Sequence, residues 1–401
     1  MSSVAVGQES ALFRALRMVV LLGAPVLAGM VQLAVIPAQT GMAAHFAEQG
    51  VNDPAFAAQN VMTISAPVMA IGAPLIGWLA GIFGKRNTLL LSVLIYGIAG
   101  MAGLVVTDLP LLLASRLVLG LAAAGYITVS VSLIGDYYAD EATRGRLLGW
   151  FAIVGGGGSL IVLYAAGVLT KMGGWQAPFA LYGTALVLFV MALALIKDVR
   201  QVSTAAVEGA ASGSIWTAWP IYALIILISI SMYGVTIQGT YMMAENGITD
   251  PSTQSNVMLF STVGSMVGAY LYRFIRPSLG FALTLALTWG FLALGNIGFP
   301  STANIALLAI FAGAVGMASG LMQPLTQTTV MNRVAPSVVA PAMGMALGSI
   351  FAGQFIHPFV MQPLRAHLGL HGALVWLGIA SIVAGVLSVL WRLKPGQRAT
   401  A

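Results

Sequence analysis

Apolar residues in this chain come in long runs, separated by short polar stretches or by Pro and Gly. A helix needs about 20 predominantly apolar residues to cross the hydrocarbon core of a bilayer. Twelve runs meet that length, at 18–43, 57–81, 87–107, 110–135, 147–170, 176–196, 216–243, 255–274, 279–299, 303–331, 338–364 and 370–392. Transmembrane strands would alternate apolar and polar positions over about 10 residues. The stretches Leu186 to Ile196 and Ile221 to Ile230 do not alternate, so the runs are read as helices. Arg14 and Arg17 precede the first run as they would a signal peptide. It is too long for a signal h-region and further spans follow, so it is read as a retained span.

Composition removes the soluble alternatives. Hydrophobic residues make up 59% of the 401 residues and charged residues only 7%, where a soluble domain carries about 25% charged. Disorder and nucleic-acid binding both need dense charge and are excluded as the main task. The absence of cysteine excludes a disulfide, a thiolate nucleophile and a Cys-ligated metal. An integral membrane protein remains, with the lipid bilayer as its solvent.

The net charge of +6 is explained by where the bases lie. Placing the N-terminus in the cytoplasm leaves Arg14, Arg17, Lys85, Arg86, Arg144, Arg146, Lys197, Arg200, Arg273, Arg276, Arg333, Arg392, Lys394 and Arg398 inside. Only Lys171 and Arg365 fall outside, and Arg116 lies within a span. This is the positive-inside pattern of an inner (plasma) membrane protein with both termini cytoplasmic. One missed helix would scatter the bases over both sides.

The stretch from Lys197 to Ser214 mixes Asp198, Arg200 and Glu208 with small residues and is the one linker. The expected architecture is therefore all-α: twelve transmembrane helices in two pseudo-symmetric six-helix bundles, residues 1–197 and 215–401, joined by a cytoplasmic linker at 198–214. Glycines recur 195 residues apart, Gly125 with Gly320, Gly149 with Gly344 and Gly158 with Gly353. With 47 glycines this is a weak repeat by itself, but the pairs match span four to ten and span five to eleven. Two such bundles around a midplane cleft form the architecture of many secondary transporters.

The loop after span two reads Gly77-Trp-Leu-Ala-Gly81-Ile-Phe-Gly84-Lys85-Arg86-Asn-Thr-Leu. It resembles the signature loop of the major facilitator superfamily, with Gly81 and Ile82 standing where the family has an acid and a base. Arg116-Leu-Val-Leu-Gly120-Leu-Ala-Ala is similar to that superfamily's span-four pattern, and Asp136 to Arg146 to its span-four exit. Gly174-Trp175-Gln-Ala-Pro-Phe179 resembles its entry to span six, and Gly268 to Pro277 a decayed second copy of the signature loop. Drug–proton antiporters of the superfamily carry a central Gly-Pro in span five; here Val162-Leu163 occupies that place. The resemblance implies twelve helices, alternating access, proton coupling, and a cleft lined by spans one, four, seven and ten.

Candidate chemistry is sparse. Arg116 is expensive facing lipid, so it is expected to face the cleft, binding an anionic group on the solute or switching partners as protons move. The alternative is that it ties down backbone carbonyls of a neighbouring span. His357 is the one histidine deep in a span and is the candidate proton carrier, or else a neutral ring bonded to a carbonyl freed by Pro358. No carboxylate is placed mid-span, which disfavours a dedicated cation exporter; Glu245, ending span seven, is the possible exception. Gln32, Tyr233, Gln238, Tyr241, Gln323, Gln327 and Gln354, with Gln39, supply hydrogen-bonding groups that lipid would not satisfy. They read as solute contacts or as interhelical ties. Gly77, Gly84, Lys85, Arg86 and Asp136 form the expected cytoplasmic gate, with Lys85 on Asp136 and Arg86 on the carbonyl end of a helix. Gly155–Gly158 lacks the Lys-Ser/Thr of a phosphate loop, and no cofactor or metal set appears.

These features lead to a monomeric secondary active transporter of a small organic solute, anionic or amphipathic, with protons as the coupling ion and export slightly favoured. Import of an organic anion is the alternative in the same class. A membrane-embedded transferase would need a polar catalytic cluster at one face, which the spacing does not offer. A non-transporting sensor would need a folded output segment.

Overall fold

The computed structural model describes residues 11–138, 141–197, 214–335 and 338–392, and every regular element among them is helical. The first expected crossing forms α1 (Ala11–Leu33) and α2 (Gln39–Glu48), joined by a 3-10 turn at Ile36–Ala38. Pro37 in that turn has no N–H to give a helical ladder, so the helix breaks there. The second crossing divides into α3 (Pro54–Thr63) and α4 (Ser65–Phe83). Then come α5 (Lys85–Met101), α6 (Leu109–Tyr137), α7 (Glu141–Gly173) and α8 (Thr184–Leu195), the last entered through a 3-10 stretch at Ala177–Gly183. The expected linker, 198–214, lies outside the described residues except for Ser214. The second half contains α9 (Trp219–Glu245), α10 (Pro251–Gly298), α11 (Ile305–Arg333) and α12 (Val339–Arg392).

Ten helical segments among the described residues are long and apolar enough to cross a membrane. Two of them are doubled. Helices α10 and α12 run for 48 and 54 residues but break at Gly280 (φ 70°, ψ −177°) and Gly369 (φ 68°, ψ 175°). At about 1.5 Å per residue each is long enough to cross a core of about 30 Å twice. Taken as two crossings each, they would bring the ten segments to the twelve apolar runs.

Several acids are helix caps. Asp53, Asp108 and Asp250 accept a backbone N–H from Phe56, Leu111 and Thr253, and Asn304 does the same for α11. A proline follows within two residues of each aspartate, where a missing N–H costs nothing. These caps lie on one face of the protein, hereafter the acidic face. Lys85, Arg86 and Arg333 mark the opposite, basic face.

Backbone geometry records a repeat more sharply than composition does. Among the described residues, six glycines have positive φ and fall into three pairs: Gly50 with Gly247, Gly84 with Gly280, and Gly174 with Gly369. Their separations are 197, 196 and 195 residues. Matching helices also pack alike: Gly120 rests on Ser65, and Gly316, 196 residues on, rests on Ser261. The expected pairing of Gly125 with Gly320 fails this test. Gly125 faces Ser92 on α5 first and only a side-chain methyl of Ile76 on α4, whereas Gly320 faces the backbone of Ser265 and Ala269 on α10. The register here is 196, and one residue of slip turns a helix position by about 100° onto a different neighbour. The pairing of Gly158 with Gly353 holds, since Gly158 packs on Val26 of α1 and Gly353 on Ile226 and Ser229 of α9.

The halves meet through two related contacts, α7 against α10 and α12 against α4, with α2 and α3 closing on α9 and α12 toward the acidic face. Helix α9 is buried on most of its circumference. Leu91 and Ile98 of α5, Val187 and Val190 of α8, and Ile379, Val383 and Val386 of α12 form an exposed apolar belt. An apolar belt on a chain with this many spans belongs against lipid. The chain is a multi-pass membrane protein.

Candidate functional site

The halves are stitched together by polar side chains between the middle of the bundle and the acidic face. Near the middle, Gln32 Nε2 at the end of α1 donates to Gln354 Oε1 of α12 at 2.8 Å. Three residues along α12, the His357 ring is fully buried, with Nδ1 2.8 Å from the carbonyl of Ile230 on α9. A carbonyl only accepts, so Nδ1 carries the hydrogen and Nε2 is left with a lone pair. That lone pair faces Gln238 Nε2 at 3.5 Å, a long contact.

Gln238 in turn exchanges two hydrogen bonds with Gln59 of α3, 3.0 Å in one direction and 3.1 Å in the other. Gln59 is 1% exposed and Gln238 is fully buried. Water cannot compete for either amide, so the pair is held by its own complementarity. Nearer the acidic face, the Tyr241 hydroxyl lies 3.4 Å from the carbonyls of Gln39 and Ala55. At the face itself Gln362 donates to Asp53 at 3.2 Å, Lys171 pairs with Asp250 at 3.0 Å, and Ser252 reaches the Gly167 carbonyl. Hydrogen bonds from Thr253, and then from Lys171, hold the Asp250 carboxyl below its ordinary pKa.

Five expected site residues thus come together: Gln32, Gln238, Tyr241, Gln354 and His357. Tyr233 is buried on α9, one turn from Ile230. Gln323 and Gln327 stay apart from this seam, exposed one helical turn from each other on the basic half of α11. Gln59, Gln362 and Asp53 were not anticipated. Spans two and eleven supply this layer where spans four and ten were expected to. Gln39 is buried as well, donating to the Met62 sulfur at 3.0 Å.

Arg116 does not join the seam. It is fully buried inside the first half, where Nη2 donates to the carbonyls of Ala99 and Gly100 at 3.0 and 2.9 Å. Its guanidinium lies 4.9 and 5.2 Å from the ring centres of Phe179 and Tyr182. The Tyr182 hydroxyl then donates to the carbonyls of Met30 and Val31, next to Gln32. This is the carbonyl-tying arrangement rather than a cleft-facing cation. It adds a charged donor to the last turn of α5, where the Ala99 carbonyl also accepts the N–H of Ala102.

On the basic face, Lys85 Nζ lies 2.6 Å from Asp136. Arg86 donates to the carbonyls of Ile196 and Leu193 at the end of α8, at 2.6 and 3.1 Å. Gly84 joins α4 to α5 at φ 85° and ψ 145°, a conformation open to glycine. A side chain at Gly77 would meet only Thr128, at 3.9 Å. These contacts bind the helices of one half to each other, as do those between Arg333 and Thr217 in the second.

A helical membrane protein with two related halves, and a polar seam between them, has the build of a secondary transporter. A profile described as Major Facilitator Superfamily matches residues 21–234, more than half the chain. The chain belongs to that superfamily, among transporters rather than enzymes. It is 24% identical over 336 residues to a puromycin resistance protein of Streptomyces alboniger, covering 80% of this chain and 65% of that one. It is 29% identical over 119 residues to a methylenomycin A resistance protein of Bacillus subtilis, covering 30% of this chain and 24% of that one. The chain therefore matches less than two thirds of the length of either relative. Among solved structures, a bacterial homologue of the human lysosomal transporter Spinster, inward-facing and occupied, superposes with a TM-score of 0.76 at 14% identity, covering 95% of this chain and 97% of that one. A D-xylose–proton symporter does so at 0.72 and 17%, covering 96% and 98%. At these identities the likeness is one of fold.

Proposed function

We propose that the chain is a proton-coupled transporter working by alternating access between residues 1–197 and 215–401, with export the favoured direction. The observation that carries this reading is one-sidedness. The bonds described above that cross between the halves lie from the middle to the acidic face, while those of Lys85, Arg86 and Arg333 on the basic face stay within their own half. Gln323 and Gln327, exposed together on the basic half of α11, fit a water-filled opening there, since lipid would leave their amides unsatisfied. The basic face is assigned to the cytoplasm of the inner membrane, with the termini on that side, by the excess of Lys and Arg. In this assignment the structure is inward-facing. The pathway lies between halves of one chain, which suits a monomer.

The chemistry of the seam narrows the solute. Away from the acidic face, where Asp53, Asp250, Lys171 and Arg365 lie, its side chains are carboxamides, phenol and imidazole, and Arg116, the expected anion partner, is turned into the first half. A permanent charge on the solute would find no counter-charge there and would keep its desolvation cost. Of the anionic or amphipathic solutes expected from the sequence, an uncharged amphipathic molecule fits better than an organic anion. His357 is the histidine of the seam and is assigned the coupling proton, imidazole being the side chain that ordinarily changes charge near neutral pH. The drug-resistance names of the relatives support export.

Liposomes containing the purified protein and carrying an imposed pH gradient test the reading. Puromycin and a panel of uncharged amphipathic compounds are followed beside matched organic anions. Accumulation of uncharged compounds that collapses with the gradient is expected. Uptake confined to the anions, or indifferent to the gradient, would remove it.

A further inference from the structure

Gln238 stands between two groups that make opposite demands on it. Its Nε2 faces the Nε2 lone pair of His357 at 3.5 Å and donates to Gln59 Oε1 at 3.1 Å, while its Oε1 accepts from Gln59 Nε2 at 3.0 Å. A primary amide has one donor end and one acceptor end. The two glutamines can pair reciprocally only if both are oriented in the same sense. His357 Nδ1 is already committed as a donor to the Ile230 carbonyl. A proton reaching this ring must therefore go to Nε2, where its N–H would point at the N–H of Gln238.

We infer that Gln238 is a hydrogen-bond polarity relay, through which protonation of His357 unties Gln59 from Gln238 and so loosens the outer closure of the two halves. This rests on the reading of His357 as the proton carrier. To accept from a protonated His357, Gln238 must turn its Oε1 toward the ring. Its Nε2 then meets the Nε2 of Gln59, donor against donor. The buried pair has to break before it can form again with both amides inverted. In that interval α3 and α9 lose their reciprocal bond across the halves, and with neither amide exposed, no water takes its place. One proton thus changes a contact between halves that it does not itself touch. Gln238 is a positioning residue in this scheme.

The ring is suited to report a proton and little else. Helix α12 packs against α9, α10, α11, α4, α3 and the turn Ile215–Ala218 before α9. From α9 the nearest titratable groups in sequence to Gln238 and Ile230 are the phenols Tyr241 and Tyr233, with Tyr222 and Glu245 at the two ends. Asp53 caps the outer end of α3. Helix α10 carries Asp250 at its outer start and Tyr270, Tyr272, Arg273 and Arg276 toward its inner break, and α11 carries Arg333 at its inner end. Helix α4 and the turn Ile215–Ala218 carry no titratable side chain, and Arg365, His367 and His371 lie toward the acidic end of α12 itself. The contacts of the imidazole nitrogens are Ile230 and Gln238.

The chain has no cysteine, so spin labels at Asn52→Cys and Ala303→Cys, exposed on the acidic face in opposite halves, report the outer opening. Distances are measured in nanodiscs over roughly pH 8 to pH 4, a range wide enough to charge a buried histidine. In the otherwise unaltered protein the longer-distance population should rise several-fold toward the acid end of that range. His357→Gln should remain closed throughout. Gln59→Met, which has no amide, should show the longer population already at pH 8 and no further response, and Gln238→Met should do the same. Distances independent of pH in the unaltered protein would overturn the relay whether or not the variants fold. So would a Gln59→Met protein that keeps the original pH response. Flux under a pH gradient, measured in parallel, separates the two ideas. Gradient-driven flux without the distance response removes the relay alone, and a distance response without such flux removes the transport reading.

Discussion

Asp53 and Asp250, 197 residues apart, divide their carboxylates in the same way. One oxygen of each accepts the N–H that starts its own helix, from Phe56 and Thr253. The other oxygen reaches into the opposite half, to Gln362 of α12 and to Lys171 of α7. Each aspartate therefore fixes a helix start and closes the acidic face at once. The two latches are related as the halves are: an aspartate opening the second crossing of one half meets the fifth crossing of the other. Asp53 reaches its position with φ at 49°, a left-handed conformation that aspartate tolerates better than most side chains.

Removing a latch should favour outer opening by a modest amount. Lys171 and Asp250 are 59% and 35% exposed, and ion pairs this accessible contribute about 0–1 kcal/mol. Asp250→Asn and Asp53→Asn, read by label distances across the acidic face, should each raise the open population by at most about fivefold at neutral pH. The sign of the pH effect follows from the lowered pKa of Asp250. Its contribution is fully present above the ordinary carboxylate range and is lost as pH falls through its own lower value. Acid opening from this source should therefore begin below that range and be missing in Asp250→Asn. Closed distances in both variants would show that the latches only cap their helices.

Arg116 should behave as a structural residue. Its partners are two carbonyls in the last turn of α5, the Ser115 hydroxyl and two aromatic rings, and hydrogen bonds to charged groups contribute about 1.5–3 kcal/mol each. Arg116→Gln should lower the melting temperature, and any loss of transport should fall equally on charged and neutral solutes. Arg116→Lys should be milder in charge but poorer in geometry, because one ammonium cannot reproduce a planar fork set between two carbonyls and two rings. A stable Arg116→Gln protein that loses affinity for organic anions alone would restore the anion-binding role.

Arg116 also marks how far sequence reasoning reaches. Its place inside an apolar run gives its depth in the membrane and the cost of facing lipid, but not which neighbour it turns toward. The crossings, the face of the bases and the Lys85–Asp136 and Arg86 contacts were legible, because run length, charge and a family motif each leave a one-dimensional trace. The seam was half legible. Gln32, Gln238, Tyr241, Gln354 and His357 stood out as polar groups in apolar surroundings. Gln59 is also a polar group in an apolar run, but it sits in span two, which the family likeness did not place at the cleft. Gln362 and Asp53 look like ordinary boundary residues until the two halves are brought together. The Gly125–Gly320 pairing shows the reverse error, a chance match one residue out of register.

Lys85 and Asp136 are coupled within one half, so their loss should first be felt there. Their side chains are only 17% and 24% exposed. In a double-mutant cycle of Lys85→Ala and Asp136→Asn, read by thermal unfolding in detergent, the interaction term should fall at about 0.5–3 kcal/mol, as for other partners in direct contact. Label distances within the first half, between the ends of α5 and α6, should lengthen more than distances between the halves. Additive single and double variants would reduce Lys85 to a marker of the basic face.

The repeat can be tested through close helix contacts. A β-carbon at Gly120 would lie 2.7 Å from the carbonyl oxygen of Ser65, and one at Gly316 would overlap the carbonyl of Ser261. In each half, then, the fourth crossing approaches the second through the same glycine–serine contact, and the obstacle is backbone rather than a side chain that can swing aside. Forcing a methyl group into such a contact costs about 1–3 kcal/mol by displacing packed elements. Gly120→Ala and Gly316→Ala should therefore both lower the melting temperature, Gly316→Ala the more. Gly135→Ala and Gly290→Ala, where nothing lies within 4 Å of the new methyl, serve as controls. In helix interiors they should be neutral or raise stability by up to about 1 kcal/mol, since alanine favours helix over glycine. If the pseudo-symmetry were only a matter of chain spacing, the two contact glycines would respond independently of their shared register. Equal tolerance of alanine at Gly316 and Gly290 would show that the fourth and second crossings do not meet through this contact.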